Sequence, residues 1–291
     1  MTMTLRDYIQ DAYERGYAIG HFNVSNWEGI KAVSEVCEEL RVPVIIGASE
    51  GESGYLGIEH VAGIVHMLRD LHHLPLFLNA DHFNHLEHVQ QAARAGFDAI
   101  LYDAASKSLG EDTVLTKQAV DAVRAINKDI LVEGELGYIG VGSEVRTEIP
   151  EGAIIDESKM TTAAEINDFA KFTGVNLVGP AVGNIHGIVK GYKENISLER
   201  IKELRQNAHT PMVLHGASGI SDDLISGAVN AGISIIHINT ELRLAWKTGM
   251  EEGLQTMKDE VAPYKISQLS VELMKQVLRK KIALFGTKPA A

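Results

Sequence analysis

The stretch Pro75-Leu76-Phe77-Leu78-Asn79-Ala80-Asp81-His82 decides how the rest of the chain is read. An apolar run behind a proline, ahead of a helix-like segment, reads as the buried strand of a βα unit. The first polar residues past such a strand fall at its C-terminal mouth, where barrel enzymes place their chemistry. Here they are a carboxylate beside an imidazole. We expect Asp81 to serve as an acid/base group and His82 as a metal ligand.

Working outward, the same rhythm repeats on both sides. Upstream, a helix over Leu5 to Arg15 closes at Gly16, a strand over Ala18 to Val24 carries Asn23 near its end, and Asn26 caps a helix to Leu40. A second strand, Pro43 to Gly47, leads to Ser49, and a helix through Ile58 to Leu68 returns to Pro75. Downstream come helices over His85 to Ala95, Val114 to Ile126, Thr161 to Phe172, Leu198 to Asn207 and Ser221 to Ala231. They alternate with strands over Phe97 to Tyr102, Ile130 to Leu136, Val175 to Val182, Pro211 to His215 and Ile233 to Ile238. Between Gly137 and Ser158 no period holds, and a loop of that length in a compact domain is usually functional. Eight strands, each followed by a helix, predict a (β/α)8 TIM barrel with extra C-terminal helices. The expected organisation is a single domain over residues 1–291, with the barrel at about 5–250 and a helical extension at about 251–291. A doubly wound open sheet is the competing architecture, but no G-x-G-x-x-G follows the first strand.

Composition narrows the function. A hydrophobic content of 45% with 23% charged residues is ordinary for a globular protein. A net charge of −12 disfavours nucleic acid, whose phosphates need Lys and Arg, yet leaves room for a small phosphorylated ligand held by backbone amides. The one cysteine, Cys37, lies on an apolar helical face and reads as a core thiol. With no internal disulfide possible and no secretory segment in Met1 to Gln10, a cytoplasmic setting is expected. No apolar window approaches the ~18 residues a membrane span needs.

Chemistry-bearing residues gather at strand ends: Asn23, Ser49, Asp81-His82, Asp103, Glu133 and Glu135, His186, His215 and Asn239. Three of the twelve histidines, His82, His186 and His215, fall at the ends of the third, sixth and seventh strands. A catalytic zinc takes about three protein ligands and leaves a position open, which fits this set. His60, His66, His72, His73, His85 and His88 lie in helices or turns and read as structural. Glu133 and Glu135 share one strand face by the period of two, facing the barrel interior, so each needs a cation, a metal or a donor. Gly216-Ala217-Ser218-Gly219 after the seventh strand and Asn239-Thr240 after the eighth sit where barrels cradle phosphate. On the residues alone, a helix cap at Asp81 and plain tight turns at the glycines remain open.

Taken together these residues match a family. Gly20-His21-Phe22-Asn23, Pro43 to Gly51, Asp81-His82, Val132-Glu133-Gly134-Glu135-Leu136-Gly137, His186-Gly187, Val213 to Gly219 and Asn239-Thr240-Glu241 occur in order. Over about residues 5–245 the chain resembles the class II, zinc-dependent ketose-bisphosphate aldolases. The resemblance implies that His82, His186 and His215 hold one zinc per chain, with Glu135 as an alternative or outer ligand and Asp81 as the general acid/base. It implies that Gly187, Gly216 and Ser218, with Asn239 and Thr240, surround the phosphate at the C1 end of the ketose, with a monovalent cation near those glycines. Asn23, Ser49 and His237 are the remaining expected substrate contacts. The implied activity is reversible cleavage of a phosphorylated ketose to dihydroxyacetone phosphate and an aldehyde, through an enediolate that zinc stabilises, in a homodimer or homotetramer of carbohydrate metabolism. Zinc hydrolysis, or silent binding of a sugar phosphate, are the alternatives.

Three places depart from the family pattern, and each is expected to face the substrate. His237 stands where Asn is usual; Asp103-Ala104-Ala105-Ser106 replaces Asp-Ala-Ser-His; Gly140 to Val145 replaces a Gly-Gly-x-Glu-Asp run. The metal ligands are untouched, so the departures bear on which ketose is accepted.

Overall fold

The computed structural model describes residues 3–192 and 196–289; the outermost ends of the expected 1–291 domain lie outside the described residues. Ten strands occur among the described residues: β1 Ile19–Asn23, β2 Val44–Ser49, β3 Leu76–Phe83, β4 Ala99–Tyr102, β5 Leu131–Leu136, β6 Val145–Arg146, β7 Leu177–Pro180, β8 Ile188–Val189, β9 Met212–Leu214 and β10 Ile233–Ile238. Eight of them close a parallel barrel in the order β1-β2-β3-β4-β5-β7-β9-β10, and helices ring it. The fold is a (β/α)8 TIM barrel. β6 and β8 form a separate parallel pair that ties the irregular segment after β5 to the turn after β7. Two-residue strands leave no legible period, which is why the sequence shows none there.

Strand alternation sorts every residue. One parity points outward into the main core under the helices, with Phe22, Val44, Ile46, Leu76, Leu78, Ile100 and Ile236 all fully buried. The other parity points into the barrel and changes character with height. Its lowest layer is apolar: Ile19, Ile45, Phe77, Ala99, Leu131, Leu177, Val213 and Ile235. The helix Leu5–Arg15 packs Leu5, Tyr8, Ile9 and Ala12 against this layer and plugs that end. Two residues further along each strand, the same parity brings His21, Asn79, Glu133, His215 and His237; the next turn of the pleat brings Asn23, Ser49, Asp81 and Glu135. The active mouth is thus the inward parity of the sheet, turned polar above an apolar floor.

The helices behave as their caps dictate. Ser49, Ser108 and Thr162 each close a capping box with the Glu three residues on. The Ser49 box starts a short helix, Glu50–Leu56, that apolar spacing does not reveal. At the other end, the 250 boundary falls inside the helix Thr240–Thr256. The helix Gln268–Phe285 packs against Thr240–Thr256 and Trp27–Leu40, filling the ring beside β1. A Cβ on Gly249 would collide with the Ser270 backbone, so the close approach of these two helices requires that glycine. Phe285 is fully buried, stacks on Phe22 and accepts a hydrogen bond from the Ala18 amide. Cys37 is buried, and that burial pushes its thiol up to about 12. Among the described residues no helix is long and apolar enough to cross a membrane.

Candidate active site

The organising irregularity lies at the end of β3, which extends through Asp81 and His82 to Phe83 instead of ending before them. In a regular strand two consecutive side chains face opposite ways. Asp81 has the inward parity, so His82 would turn out. The pairing of β3 with β4 shifts register between Ala80 and Phe83, and His82 takes φ +50, a left-handed conformation rare for a side chain of this size. Both residues then line the same pocket. Such a conformation costs about 1–3 kcal/mol, and it is what places a carboxylate and an imidazole next to one another.

Four side chains converge there. One ligand atom from each of His82, Glu135, His186 and His215 lies within 4.8 Å of the others. Two of the four are held from behind. His82 Nδ1 donates to Asp103 Oδ2 at 2.9 Å, and His215 Nε2 donates to Glu133 Oε1 at 2.7 Å, with both members of the second pair buried. Left without a partner among the described residues, and buried, are His82 Nε2, His215 Nδ1 and Glu135 Oε2. Three buried polar atoms left unsatisfied within one cluster are costly unless a cation fills it.

The electrostatics agree. Burial, then the charge of Asp103, pushes the Glu135 carboxyl well above its usual range. Burial, then the charges of His82 and His215, holds His186 well below the usual imidazole value, in the neutral form a metal needs. Burial would lower His82 as well, but Asp81 and the other carboxylates around it outweigh burial and hold it well above. A divalent cation fits this excess of negative charge, and its binding requires the His82 proton to leave. The donor set of imidazoles and a carboxylate suits zinc.

Asp81 is fixed from one side. Asn23 Nδ2 donates to Asp81 Oδ2 at 2.8 Å and to Glu52 Oε2 at 3.1 Å. Among the described residues Asp81 Oδ1 has no hydrogen-bond partner; His82 Nε2 lies 3.7 Å away and His237 Nδ1 3.3 Å away, the latter out of line for a bond. Burial opposes its ionisation, but the charge of His82 outweighs burial, so the carboxyl sits well below its usual range. The result is an ionised carboxylate with one oxygen anchored and one free.

His237 lines the pocket, but its ring is packed flat against His21, with centroids 3.4 Å apart and planes 4° apart. The two are register partners across β1 and β10, so the stack follows from strand pairing. Asn79 Nδ2 donates to His21 Nε2 at 3.0 Å. Burial lowers His21 to about 4 and, with His21 and His215 beside it, holds His237 well below the usual value. Both rings are neutral, so His237 brings no positive charge to the pocket near neutral pH. Neighbouring strands make room: a Cβ on Gly47 would collide with the His21 ring, and one on Gly179 would press on His215.

The pocket, about 910 Å³ including its open mouth, has room for a sugar phosphate. Ser49, Gly187, Gly216, Ser218, Asn239 and Thr240 line it with the residues above. The helix Thr240–Thr256 points its N-terminus at it, and Ser218 Oγ accepts from the Asn239 and Glu241 amides at 3.2 and 3.4 Å. Asn239 caps nothing with its side chain, and its Oδ1 is buried without a partner. A Cβ on Gly216 would collide with the Ile185 carbonyl, so the turns after β7 and β9 lie backbone to backbone.

Some residues of the site had no sequence signal. Arg243 lines the pocket, donates to Glu52 Oε1 at 2.6 Å and to the Ser143 carbonyl at 3.0 Å, and so joins Asn23's network to the loop after β5. It sits one turn into a helix that starts at the mouth, the one cue that could have marked it. Asn84 also lines the pocket, as do Gly140 to Ser143, part of the Gly140 to Val145 run expected to face the substrate. Asp103 and Glu133 were visible at strand ends, and their use is to hold His82 and His215. The departure at Ala105-Ser106 does not line this pocket: Ala105 is buried elsewhere and Ser106 is exposed.

Known proteins match this arrangement. Residues 3–289 match the family model described as fructose-bisphosphate aldolase class-II. Fructose-bisphosphate aldolases of Staphylococcus epidermidis and Staphylococcus aureus are each 31% identical over 290 residues, covering 98% of this chain and 97% of theirs. The crystal structure of the YdjI aldolase of Escherichia coli K12 superposes with TM-score 0.82 at 30% identity, over 99% of this chain and 98% of that one. Fructose-bisphosphate aldolase of Campylobacter jejuni shares the fold, with TM-score 0.79 at 21% identity over 98% of this chain and 95% of that one. A metal-ligand cluster at the mouth of a (β/α)8 barrel and a match over almost its whole length place this chain in the class II fructose-bisphosphate aldolase family, as a metal-dependent lyase.

Proposed function

We propose that the chain reversibly cleaves a phosphorylated ketose to dihydroxyacetone phosphate and an aldehyde, with the ion held by His82, His186 and His215, Glu135 as a further or outer ligand, and Asp81 as acid/base. The observation that carries this is the group of His82, Glu135, His186 and His215, whose ligand atoms lie within 4.8 Å of one another, beside an Asp81 oxygen without a partner among the described residues. Zinc is the ion proposed; when bound it supplies Lewis acidity toward the ketose carbonyl and its neighbouring hydroxyl. Asp81 Oδ1 takes the proton from the hydroxyl on the far side of the breaking carbon–carbon bond. The electrons of that bond stay with the phosphate-bearing fragment, whose carbon takes a proton from solvent to give dihydroxyacetone phosphate. In the condensing direction Asp81 returns the proton to the aldehyde oxygen. Asn23 keeps Oδ2 anchored, so the proton is moved at one defined atom. Ser218, Gly187, Gly216, Asn239 and Thr240 hold the C1 phosphate at a helix N-terminus, where anions are favoured. Ser49 and His237 bound the remaining substrate, and His237 acts as a neutral wall.

A monovalent cation beside Gly187 and Gly216, a homodimer or homotetramer, a single domain, and a cytoplasmic setting without nucleic-acid or membrane partners belong to the same proposal. The charge of −12 supports the exclusion of nucleic acid. The test is release of triose phosphate from a panel of ketose phosphates, before and after chelation and zinc reloading. Release from at least one member, abolished by chelator and restored by zinc, is expected. Release from none, or release indifferent to chelator, refutes the proposal.

A further inference from the structure

Outside the catalytic cluster, a second group of metal-type ligands stands where β2 and β3 deliver their loops. Glu50 follows the last residue of β2, and His85 and His88 begin the helix Leu86–Ala95. Read in isolation, both histidines look like surface residues of a helix start. Their geometry is more specific. His85 Nδ1 lies 2.9 Å from Glu50 Oε1, and His88 Nδ1 contacts the same oxygen. One ligand atom from each of the three lies within 4.8 Å of the others.

Three features separate this from an ordinary surface ion pair. The Glu50 side chain is only 17% exposed, yet among the described residues the basic side chains within 4 Å are these two imidazoles, with no Lys or Arg. Its other oxygen, Oε2, accepts from the Asn84 amide at 3.3 Å, which orients Oε1 toward the rings. His85 occupies the N-cap position, normally filled by Ser, Thr, Asp or Asn, and makes no capping bond; its ring turns to Glu50 instead. The imidazoles themselves are open, 71% and 44% exposed, so an ion and its waters have access.

We propose that Glu50, His85 and His88 form a second divalent-cation site, separate from the catalytic one. Two imidazole nitrogens and a carboxylate oxygen suit zinc or a similar borderline ion, with the remaining positions left to water. Bound there, the ion cross-links the loop after β2 to the helix after β3. Ser49 and Asn84, the neighbours of this group in sequence, both line the catalytic pocket, so the cross-link stiffens one side of its mouth. An ion that binds only the folded chain also stabilises it.

The experiment counts zinc in stripped, reloaded and desalted protein, and reads thermal unfolding on the same samples. Wild type should hold about two zinc ions per chain, His85→Ala/His88→Ala about one with turnover retained, and Glu50→Gln the same. A His82→Ala/His186→Ala/His215→Ala variant, inactive, should keep about one and still gain unfolding temperature on zinc addition. That gain should vanish when His85→Ala and His88→Ala are added. One zinc per chain in wild type, undiminished zinc in the His85→Ala/His88→Ala variant, or no thermal response in the triple variant would each overturn the site, whatever the catalytic assay shows.

Discussion

Glu133 touches no substrate in this account, yet its replacement should weaken the metal centre by a calculable amount. Its Oε1 accepts the Nε2 proton of His215 at 2.7 Å, inside the barrel, and this bond leaves His215 Nδ1 as the free nitrogen. Glu133→Gln keeps an oxygen acceptor but removes its charge. A hydrogen bond to a charged group contributes about 1.5–3 kcal/mol, against about 1 for a neutral pair. Losing about 1–2 kcal/mol of support for the ligand corresponds to roughly tenfold weaker zinc binding, the low end of the ~10–100-fold known for groups behind metal ligands. Glu133→Ala should cost more, because it leaves the Nε2 proton buried without an acceptor and opens a cavity. The assay is competition for zinc against a chromophoric chelator, in a His85→Ala/His88→Ala background so that one class of site is read. Wild-type affinity in both Glu133 variants would refute the reasoning that this bond sets the ligand.

Other expectations follow from the same geometry. Gly47→Ala drives a methyl into the His21 ring, so it should destabilise by about 1–3 kcal/mol, read as a lower urea midpoint; an unchanged midpoint would mean the stacked rings yield freely. His21 sits at about 4 when folded and near its ordinary 6.5 when unfolded. Between those values the unfolded chain binds the proton and the folded chain does not, so stability is full above about pH 6.5 and is lost as pH falls toward about 4, by about 3 kcal/mol for this group. Urea midpoints across that window should show the loss, and His21→Gln should reduce it; an identical slope in the variant would assign the loss elsewhere. His237→Asn replaces a flat neutral ring with an amide that offers two donors and an acceptor. If the wild type cleaves another phosphorylated ketose better than fructose 1,6-bisphosphate, the variant should shift the kcat/KM ratio of the two toward the bisphosphate by about tenfold, one hydrogen bond's worth of ~1.4 kcal/mol, and an unchanged ratio would make His237 packing alone.

Much of this was legible in the chain because barrel strands are strongly patterned. Leu76 to Leu78 and Ile233 to Ile238 announce buried strands, and glycines at 16 and 96 mark helix ends that the structure keeps as left-handed caps. The eight-fold alternation gives the barrel, and strand ends give His82, Asp81, His186 and His215 as neighbours in space. What periodicity misses is the irregular backbone. The register shift at β3 and the φ of +50 at His82 leave no trace in an apolar pattern. Nor does the β6–β8 pair, two residues a side. The neutrality of His237 was equally hidden, since it comes from burial and from His21, a residue more than two hundred positions away that strand register brings face to face. Arg243 enters the site from a helix, outside the strand-end rule altogether.

The most direct test measures zinc content and turnover on the same preparations of Asp81→Ala and His215→Ala. Asp81→Ala should hold as much zinc as wild type and lose kcat by roughly 10²–10⁴-fold, the contribution of one proton-transfer group. His215→Ala should lose about one zinc equivalent together with turnover. Wild-type turnover in Asp81→Ala, or undiminished zinc in His215→Ala, would contradict an acid/base carboxylate working beside a histidine-held metal.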